Sequence, residues 1–192
     1  MESNSRKTQI LKEIFGYDSF RKGQEEIVDQ ILNGRDVLAI MPTGAGKSLC
    51  YQVPALLMSG ITIVVSPLIS LMIDQVKALN EAGVHAAYIN SALTERQITK
   101  ALELAAAGRY KMIYVAPERL LTPRFLDFAC HTELSMVTID EAHCISQWGQ
   151  DFRPSYVKIT EFIRQLPRRP VVSAFTATAT QKVRAVSYTH LR

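Results

Sequence analysis

The chain has 192 residues, 47% of them hydrophobic and 21% charged, an ordinary composition for one soluble globular domain that buries a full core. Its 22 Lys and Arg against 18 Asp and Glu leave a formal net charge of +4, which permits an anionic partner but suits a solvated surface equally well. No stretch is apolar enough to span a bilayer and Met1–Lys7 lacks a signal-peptide core, so no membrane association is expected and the chain reads as cytosolic. Cys50, Cys130 and Cys144 form no C-x-x-C pair and the four histidines are scattered, which argues against disulfides and a zinc site.

Ile10, Leu11, Ile14 and Phe15 recur at helical spacing, and Gly16 ends this first helix. The segment Tyr17–Gln24 leads into a second amphipathic helix carrying Ile27, Val28, Ile31 and Leu32, closed by Asn33-Gly34. Gln24 has the chemistry to pair with the N6/N7 edge of adenine, and Tyr17 to stack on a ring. A plain helix N-terminus with a packed tyrosine fits the same residues.

Val37–Met41 reads as a short buried strand that breaks at Pro42 into Thr43-Gly44-Ala45-Gly46-Lys47-Ser48 and restarts as a helix with Leu49, Val53, Leu56 and Leu57. Strand, glycine loop, Lys-Ser and helix form the setting of a phosphate-binding loop. Glycines let backbone N–H groups curl around a phosphate, and the helix N-terminus aims its positive end there. Lys47 would neutralise terminal phosphates and Ser48 would offer its hydroxyl to Mg2+. Met41 stands where the strict pattern has its first glycine, so an ordinary glycine-rich turn remains the alternative.

Beyond it, Ile61–Val65 is a β-branched run suited to a buried parallel strand, stopped by Ser66-Pro67. A helix follows with Leu68, Leu71, Met72, Val76 and Leu79 on one face, ending at Gly83, and Val84–Ile89 is the next strand. Thr94-Glu-Arg-Gln97 reads as a capping box for a helix running to about Gly108. Lys111–Val115 is again a strand, interrupted by Ala116-Pro117-Glu118-Arg119. Apolar runs alternating with helices predict an α/β fold, a mostly parallel sheet covered on both faces. Ligands of such sheets bind beyond the carboxyl ends of the strands. Ser66, Pro117 and Arg119 sit at such ends, where they either hold a nucleic-acid backbone or turn the chain.

Leu134–Ile139 runs directly into Asp140-Glu141-Ala142-His143. Adjacent carboxylates at the end of a buried strand are costly without a task. In an ATPase the first orders Mg2+ and the second handles the attacking water; acids decorating a helix N-terminus are the alternative. Cys144–Pro154 then carries the single tryptophan, Trp148, with Phe152 and Arg153, the residue types of a single-strand stacking surface, although both aromatics would also serve as loop anchors. Pro154 is read as the first residue of a helix with Val157, Ile159, Phe162 and Ile163, and Pro170–Phe175 as a last strand leading into Thr176-Ala-Thr-Ala-Thr180.

Together these motifs resemble the first motor lobe of RecQ-family DNA helicases, within helicase superfamily 2. The family's nucleotide-specificity motif is similar to Tyr17–Gln24, its phosphate loop to Met41–Ser48, and its motif Ia to Val65–Ser70. Tyr114–Arg119, Asp140–His143 and Ser173–Thr178 resemble its later motifs, and Ser146–Pro154 resembles the aromatic-rich loop that sets RecQ proteins apart from other DEAD- or DEAH-type helicases. Lys22, Ala45 and Gln150 depart from the residues common there, which are proline, glycine and histidine.

The resemblance implies a RecA-like three-layer fold, ATP and Mg2+ as cofactors, and 3′-to-5′ unwinding in recombination and repair. The partners it implies are single-stranded and partly duplex DNA, in the cytoplasm and on the chromosome. It casts Tyr17, Arg21 and Gln24 as adenine readers, and Thr43, Gly44, Ala45, Gly46, Lys47 and Ser48 as the phosphate loop. Ser48 and Asp140 become Mg2+ ligands and Glu141 the catalytic base. Ser66, Arg119, Trp148, Phe152 and Arg153 become nucleic-acid contacts, and His143, Gln147, Thr176 and Thr178 couple the two sites. The expected organisation is helices with the adenine motif over 1–34, the ATP-binding lobe over 35–186 and a non-native tail over 187–192. The second motor lobe needed for turnover is expected to be missing. A non-catalytic nucleic-acid- and ATP-binding module and a DEAD-type RNA helicase lobe are the alternatives.

Overall fold

In the computed structural model, which describes residues 2–142 and 154–177, the β-branched runs form one six-stranded sheet. Its strands are β1 (Val37–Ile40), β2 (Ile61–Val65), β3 (Ala86–Ile89), β4 (Met112–Val115), β5 (Leu134–Ile139) and β6 (Val171–Thr176). All pair in parallel, in the order β1-β6-β5-β2-β4-β3. Helices α1 (Glu2–Phe15) and α2 (Gln24–Leu32) precede the sheet; parallel neighbours need long crossovers, and α3 (Lys47–Leu57), α4 (Ile69–Glu81), α5 (Glu95–Ala106), α6 (Pro123–His131) and α7 (Pro154–Gln165) supply them. Among the described residues no helix is long and apolar enough to cross a membrane.

Because strand side chains alternate, each strand feeds two cores. Ile63, Val65, Ile113, Val115, Val137 and Ile139 face Ile98 and Leu102 of α5, Phe125 and Phe128 of α6, and Ile159 and Phe162 of α7. Val64, Tyr114, Met136 and Phe175 face the other way, onto Ile31, Tyr51, Ala55, Met72, Val76 and Leu79 of α2, α3 and α4. With helices on both faces, every residue of β2 and β4 is buried, so apart from Thr62 their sequences are runs of large, mainly apolar residues rather than alternating ones. A third cluster, Leu11, Val28 and Val53, seats α1 and α2 on α3. Lys7 of α1 is 2% exposed and lies between Glu25 (3.1 Å) and Asp29 (2.5 Å) of α2, the pairing a buried ammonium requires. At the sheet edge Asp36 accepts from Arg169 (3.2 and 2.5 Å) and from the Val172 N–H (2.9 Å), tying the start of β1 to β6.

Most predicted elements appear within a residue or two. The capping box is complete, with Gln97 N–H donating to Thr94 Oγ1 (3.3 Å) and Thr94 N–H to Gln97 Oε1 (2.9 Å), and Pro154 opens α7. β3 starts at Ala86 rather than Val84, because Val84 N–H is still held by Leu79 O (2.9 Å) in the turn that closes α4. The last strand starts at Val171, since Pro170 has no N–H for the ladder, and extends to Thr176. Helix α6 was absent from the sequence reading. Its signals were Thr122-Pro123 at the N-terminus and the spacing of Phe125, Phe128 and Ala129, all now buried.

Phe125 is 1% exposed, touches the rings of Phe128 and Phe162, and lies on the face of the sheet away from the glycine loop. Phe125→Ala should lower unfolding stability by about 3–5 kcal/mol, read as a reduced urea midpoint; a loss below about 1 kcal/mol would show that this core is loosely packed.

Candidate functional site

The sheet order brings the loops after β1 and β5 to either side of the carboxyl end of β6. Three backbone bonds continue the ladder past the strands: Met41 N–H to Thr176 O (2.9 Å), Asp140 N–H to Val65 O (2.9 Å) and Ala142 N–H to Phe175 O (2.8 Å). Asp140 and Glu141 are therefore fixed by sheet backbone rather than carried on a free loop. Glu141 takes a left-handed conformation (φ 49°), and its N–H donates to Asp140 Oδ1 at 3.0 Å. A non-glycine residue held there costs on the order of 1 kcal/mol, strain of the kind found where function dictates geometry.

Across from the acids the glycine loop curls into α3. Gly44 and Gly46 have φ of 80° and 76°, the left-handed region that favours glycine, and a Cβ on Gly46 would push the end of the Gln24 side chain out of its place. Ala45 has no positive φ, so its methyl group introduces no such strain. Met41 is 8% exposed and packs its sulfur 3.9 Å from Cys50, which makes this position part of the core rather than part of the cradle. Lys47, the first residue of α3, is 8% exposed, and its Nζ lies 3.1 Å from Glu141 Oε1.

Between loop and acids lies a cavity of about 310 Å³ lined by Tyr17, Arg21, Gln24, Thr43, Gly44, Gly46, Lys47, Ser48, Asp140 and Glu141, with Ser19, Leu49 and Leu71. The fold thus gathers almost the whole predicted adenine, phosphate and metal set into one space. Tyr17 stands at its mouth, half exposed. Gln24 is 1% exposed and already committed: Oε1 accepts from Arg21 N–H (2.8 Å), and Nε2 donates to Ala45 O (3.0 Å) and Gly46 O (3.1 Å). Arg21 Nη1 donates to Gly44 O at 2.7 Å. In this state the segment expected to read adenine instead braces the loop expected to bind phosphate.

Asp140 is 3% exposed, and burial, with the adjacent Glu141 charge as the second cause, pushes its pKa up to about 6. The Glu141 N–H, the Tyr51 hydroxyl (3.2 Å from Oδ2) and the Lys47 charge oppose that shift without cancelling it. Behind it lie Tyr51, Gln52 and Tyr114, which sequence reasoning missed. Their signal was polar atoms inside the apolar runs of α3 and β4. Burial pushes Tyr51 well above the usual tyrosine range and Tyr114 up to about 12, so both remain protonated donors.

Of the remaining predicted residues, those that are described do not line this cavity. Ser66 is 1% exposed, and its hydroxyl has no hydrogen-bond partner among the described residues. Arg119 ends a 3₁₀ turn (Pro117–Arg119) after β4 and pairs with Glu95 at 3.6 Å. Thr176 is buried at the end of β6, beside the loop its carbonyl holds. His143, Gln147, Trp148, Phe152, Arg153 and Thr178 lie outside the described residues, as do Gln150 and the tail 187–192.

The raised acid has a thermodynamic sign. Asp140 in the fold holds its proton more tightly than in the unfolded chain, so its contribution to stability is fully present below about pH 4 and is lost as pH rises through about 6. Asp140→Asn, which removes the buried charge, should therefore be more stable than the parent at about pH 8, by on the order of 1–3 kcal/mol. The gain should shrink towards zero at about pH 4 when urea midpoints are compared across pH, and a gain independent of pH would contradict this assignment.

Comparison with known proteins accords with this geometry. Residues 21–186 match the family described as DEAD/DEAH box helicase. The chain is 51% identical over 179 residues to a Bacillus subtilis (strain 168) protein named ATP-dependent DNA helicase RecQ, covering 93% of this chain and 30% of that protein. It is 48% identical over 170 residues to the protein of the same name from Haemophilus influenzae, covering 88% of this chain and 27% of that one. The chain thus spans about 30% of the length of the curated relatives it matches. Among solved structures, a hypothetical ATP-dependent RNA helicase from Sulfolobus tokodaii superposes with a TM-score of 0.73 at 20% identity, over 98% of this chain and 55% of that one, a likeness of fold. With its match covering most of the sequence and its RecA-like sheet in place, the chain belongs to the DEAD/DEAH box helicase family.

Proposed function

We propose that this chain is the ATP-binding motor lobe of a RecQ-type DNA helicase. The observation that carries the reading is the single cavity that joins Tyr17, Arg21 and Gln24 to Lys47, Ser48, Asp140 and Glu141. High identity to proteins named DNA helicase RecQ supports DNA as the polymer acted on, and 3′-to-5′ unwinding in recombination and repair as the activity of the whole protein. Such a protein would work in the cytoplasm, on the chromosome, with the remaining length of the relatives corresponding to a second lobe and its arginine. In the resembled family, Trp148, Phe152 and Arg153 would meet single-stranded DNA, with Ser66 and Arg119 beside it. His143, Gln147, Thr176 and Thr178 would couple that contact to hydrolysis.

The residues fit ATP and Mg2+. Gly44 and Gly46, both at positive φ, curl the loop over the start of α3, whose first N–H groups suit a phosphate. Ser48 and Asp140 are hard oxygen donors, and the described residues contain no cluster of three His, Cys, Asp or Glu. Two protein oxygens with the rest from phosphates and water is the usual mode of Mg2+, which would offset charge on the terminal phosphates. A cation beside Asp140 also relieves a buried carboxylate that burial alone disfavours.

The chain's own residues then have distinct work. Lys47 exchanges Glu141 for phosphate oxygens, an exchange of one anionic partner for another that leaves the buried ammonium paired throughout. Glu141, released, accepts a proton from the attacking water at its carboxylate. Gln24 and Arg21 transmit the presence of the base to Ala45, Gly46 and Gly44, the carbonyls they hold.

In titrations with a fluorescent ATP analogue, Lys47→Ala should weaken binding at least about tenfold; binding unchanged by this substitution would remove the phosphate role. In the full-length protein Trp148→Ala should keep basal hydrolysis while losing its stimulation by single-stranded DNA. Stimulation by RNA in preference to DNA would move the reading to an RNA helicase lobe.

A further inference from the structure

Behind the cavity, buried side chains form a continuous polar line from α4 to Asp140. Gln52 Nε2 donates to Gln75 Oε1 (2.9 Å) and to Tyr114 Oη (3.2 Å); Tyr114 Oη lies 3.4 Å from Tyr51 Oη, and Tyr51 Oη lies 3.2 Å from Asp140 Oδ2. The direction of each hydrogen follows from the two ends. An ionised carboxylate only accepts, so the single Tyr51 proton goes to Asp140. The Gln52 amide N–H only donates, so Tyr114 accepts from it and passes its own proton to Tyr51. From Gln52 through Tyr114 and Tyr51 each hydrogen points towards Asp140, the arrangement in which successive bonds strengthen one another, while the second Gln52 N–H is anchored on Gln75.

Ser48, which lines the cavity, stands one turn before Tyr51 on α3. The other Asp140 oxygen, Oδ1, accepts from the Glu141 N–H at 3.0 Å. One fully buried phenol therefore fixes Oδ2 of the carboxylate assigned to Mg2+, while the Glu141 backbone fixes the other oxygen.

We propose that Tyr51 is a positioning residue for the divalent cation, with Tyr114 and Gln52 holding its hydroxyl in the donor direction. The inference rests on the reading of the cavity as an ATP and Mg2+ site. Hydrogen-bonded supports of metal ligands commonly change metal affinity about 10–100-fold when removed. A purely structural role is separable, because the Tyr51 ring also packs on Phe175 (centroids 5.4 Å apart) and Tyr51→Phe keeps that contact while deleting only the hydroxyl.

The test is binding of a fluorescent ATP analogue to the chain, titrated with Mg2+ and repeated with Mg2+ chelated, with urea midpoints confirming that each variant is folded. Tyr51→Phe should raise the Mg2+ concentration at half-maximal effect about tenfold or more, with affinity in the absence of Mg2+ within about twofold of the parent. Tyr114→Phe, which leaves the phenol of Tyr51 but removes the donor behind it, should shift the midpoint in the same direction by less. An unshifted Mg2+ midpoint in Tyr51→Phe overturns the inference, as does an equal loss of affinity with and without Mg2+. Should Tyr51→Phe not fold, an unshifted midpoint in Tyr114→Phe does the same. If the parent chain shows no Mg2+-dependent binding, the site reading itself fails and the inference with it.

Discussion

A carboxylate held almost out of water at the end of a buried strand is the constraint on which the rest of this site depends. Asp140 is 3% exposed, and its ionised form is tolerable only because partners surround it. The Glu141 N–H takes one oxygen, Tyr51 the other, and the Lys47 ammonium lies within the same field. Each partner is held in turn: Glu141 by a left-handed turn tied to β6 through Ala142, Lys47 by its place at the start of α3, Tyr51 by Phe175 and Tyr114. Sheet, loop and helix thus converge on a centre of negative charge that is satisfied but not relaxed. A buried charge in that condition is a ready receptor for a cation carried by a polyphosphate.

The pairing of Lys47 with Glu141 gives the site a resting state. Both groups are largely buried, and each has the other within 3.1 Å. In the proposed exchange a terminal phosphate would replace the carboxylate on the ammonium, and Glu141 would turn to the attacking water. Gln24 adds a second constraint on the same loop. Its amide is spent on the carbonyls of Ala45 and Gly46. On the proposed reading base recognition and phosphate binding would meet in this one short stretch of backbone.

Much of this was legible in the sequence where the physics is local. A glycine loop between a strand and a helix, two acids at a strand end and a capping box are each written in a few contiguous residues, and the fold brings the loop and acids together. Register and partnership were not legible. Nothing in the order of residues states that the Tyr51 hydroxyl meets Asp140, or that Gln24 turns to the loop rather than outward, since these contacts join α2, α3 and β5 only once the sheet has formed. Ser66 shows the same limit: the end of β2 was read as either a nucleic-acid contact or a turn of the chain, and only the fold shows its N–H bonded to Val115 O of β4 (3.1 Å) and its side chain enclosed. Helix α6 escaped because it is short, at 9 residues, and its start is marked by a proline, which reads as readily as a turn.

The central claim is that Lys47 exchanges Glu141 for nucleotide phosphate within this cavity, and a crystal structure of the chain with a non-hydrolysable ATP analogue and Mg2+ tests it most directly. The account predicts the triphosphate along Gly44–Ser48, Lys47 Nζ on a phosphate oxygen and parted from Glu141, and the cation against Ser48 and Asp140 with the Tyr51 hydroxyl still on Oδ2. A nucleotide bound elsewhere, or bound here with the Lys47–Glu141 pair intact, would contradict it.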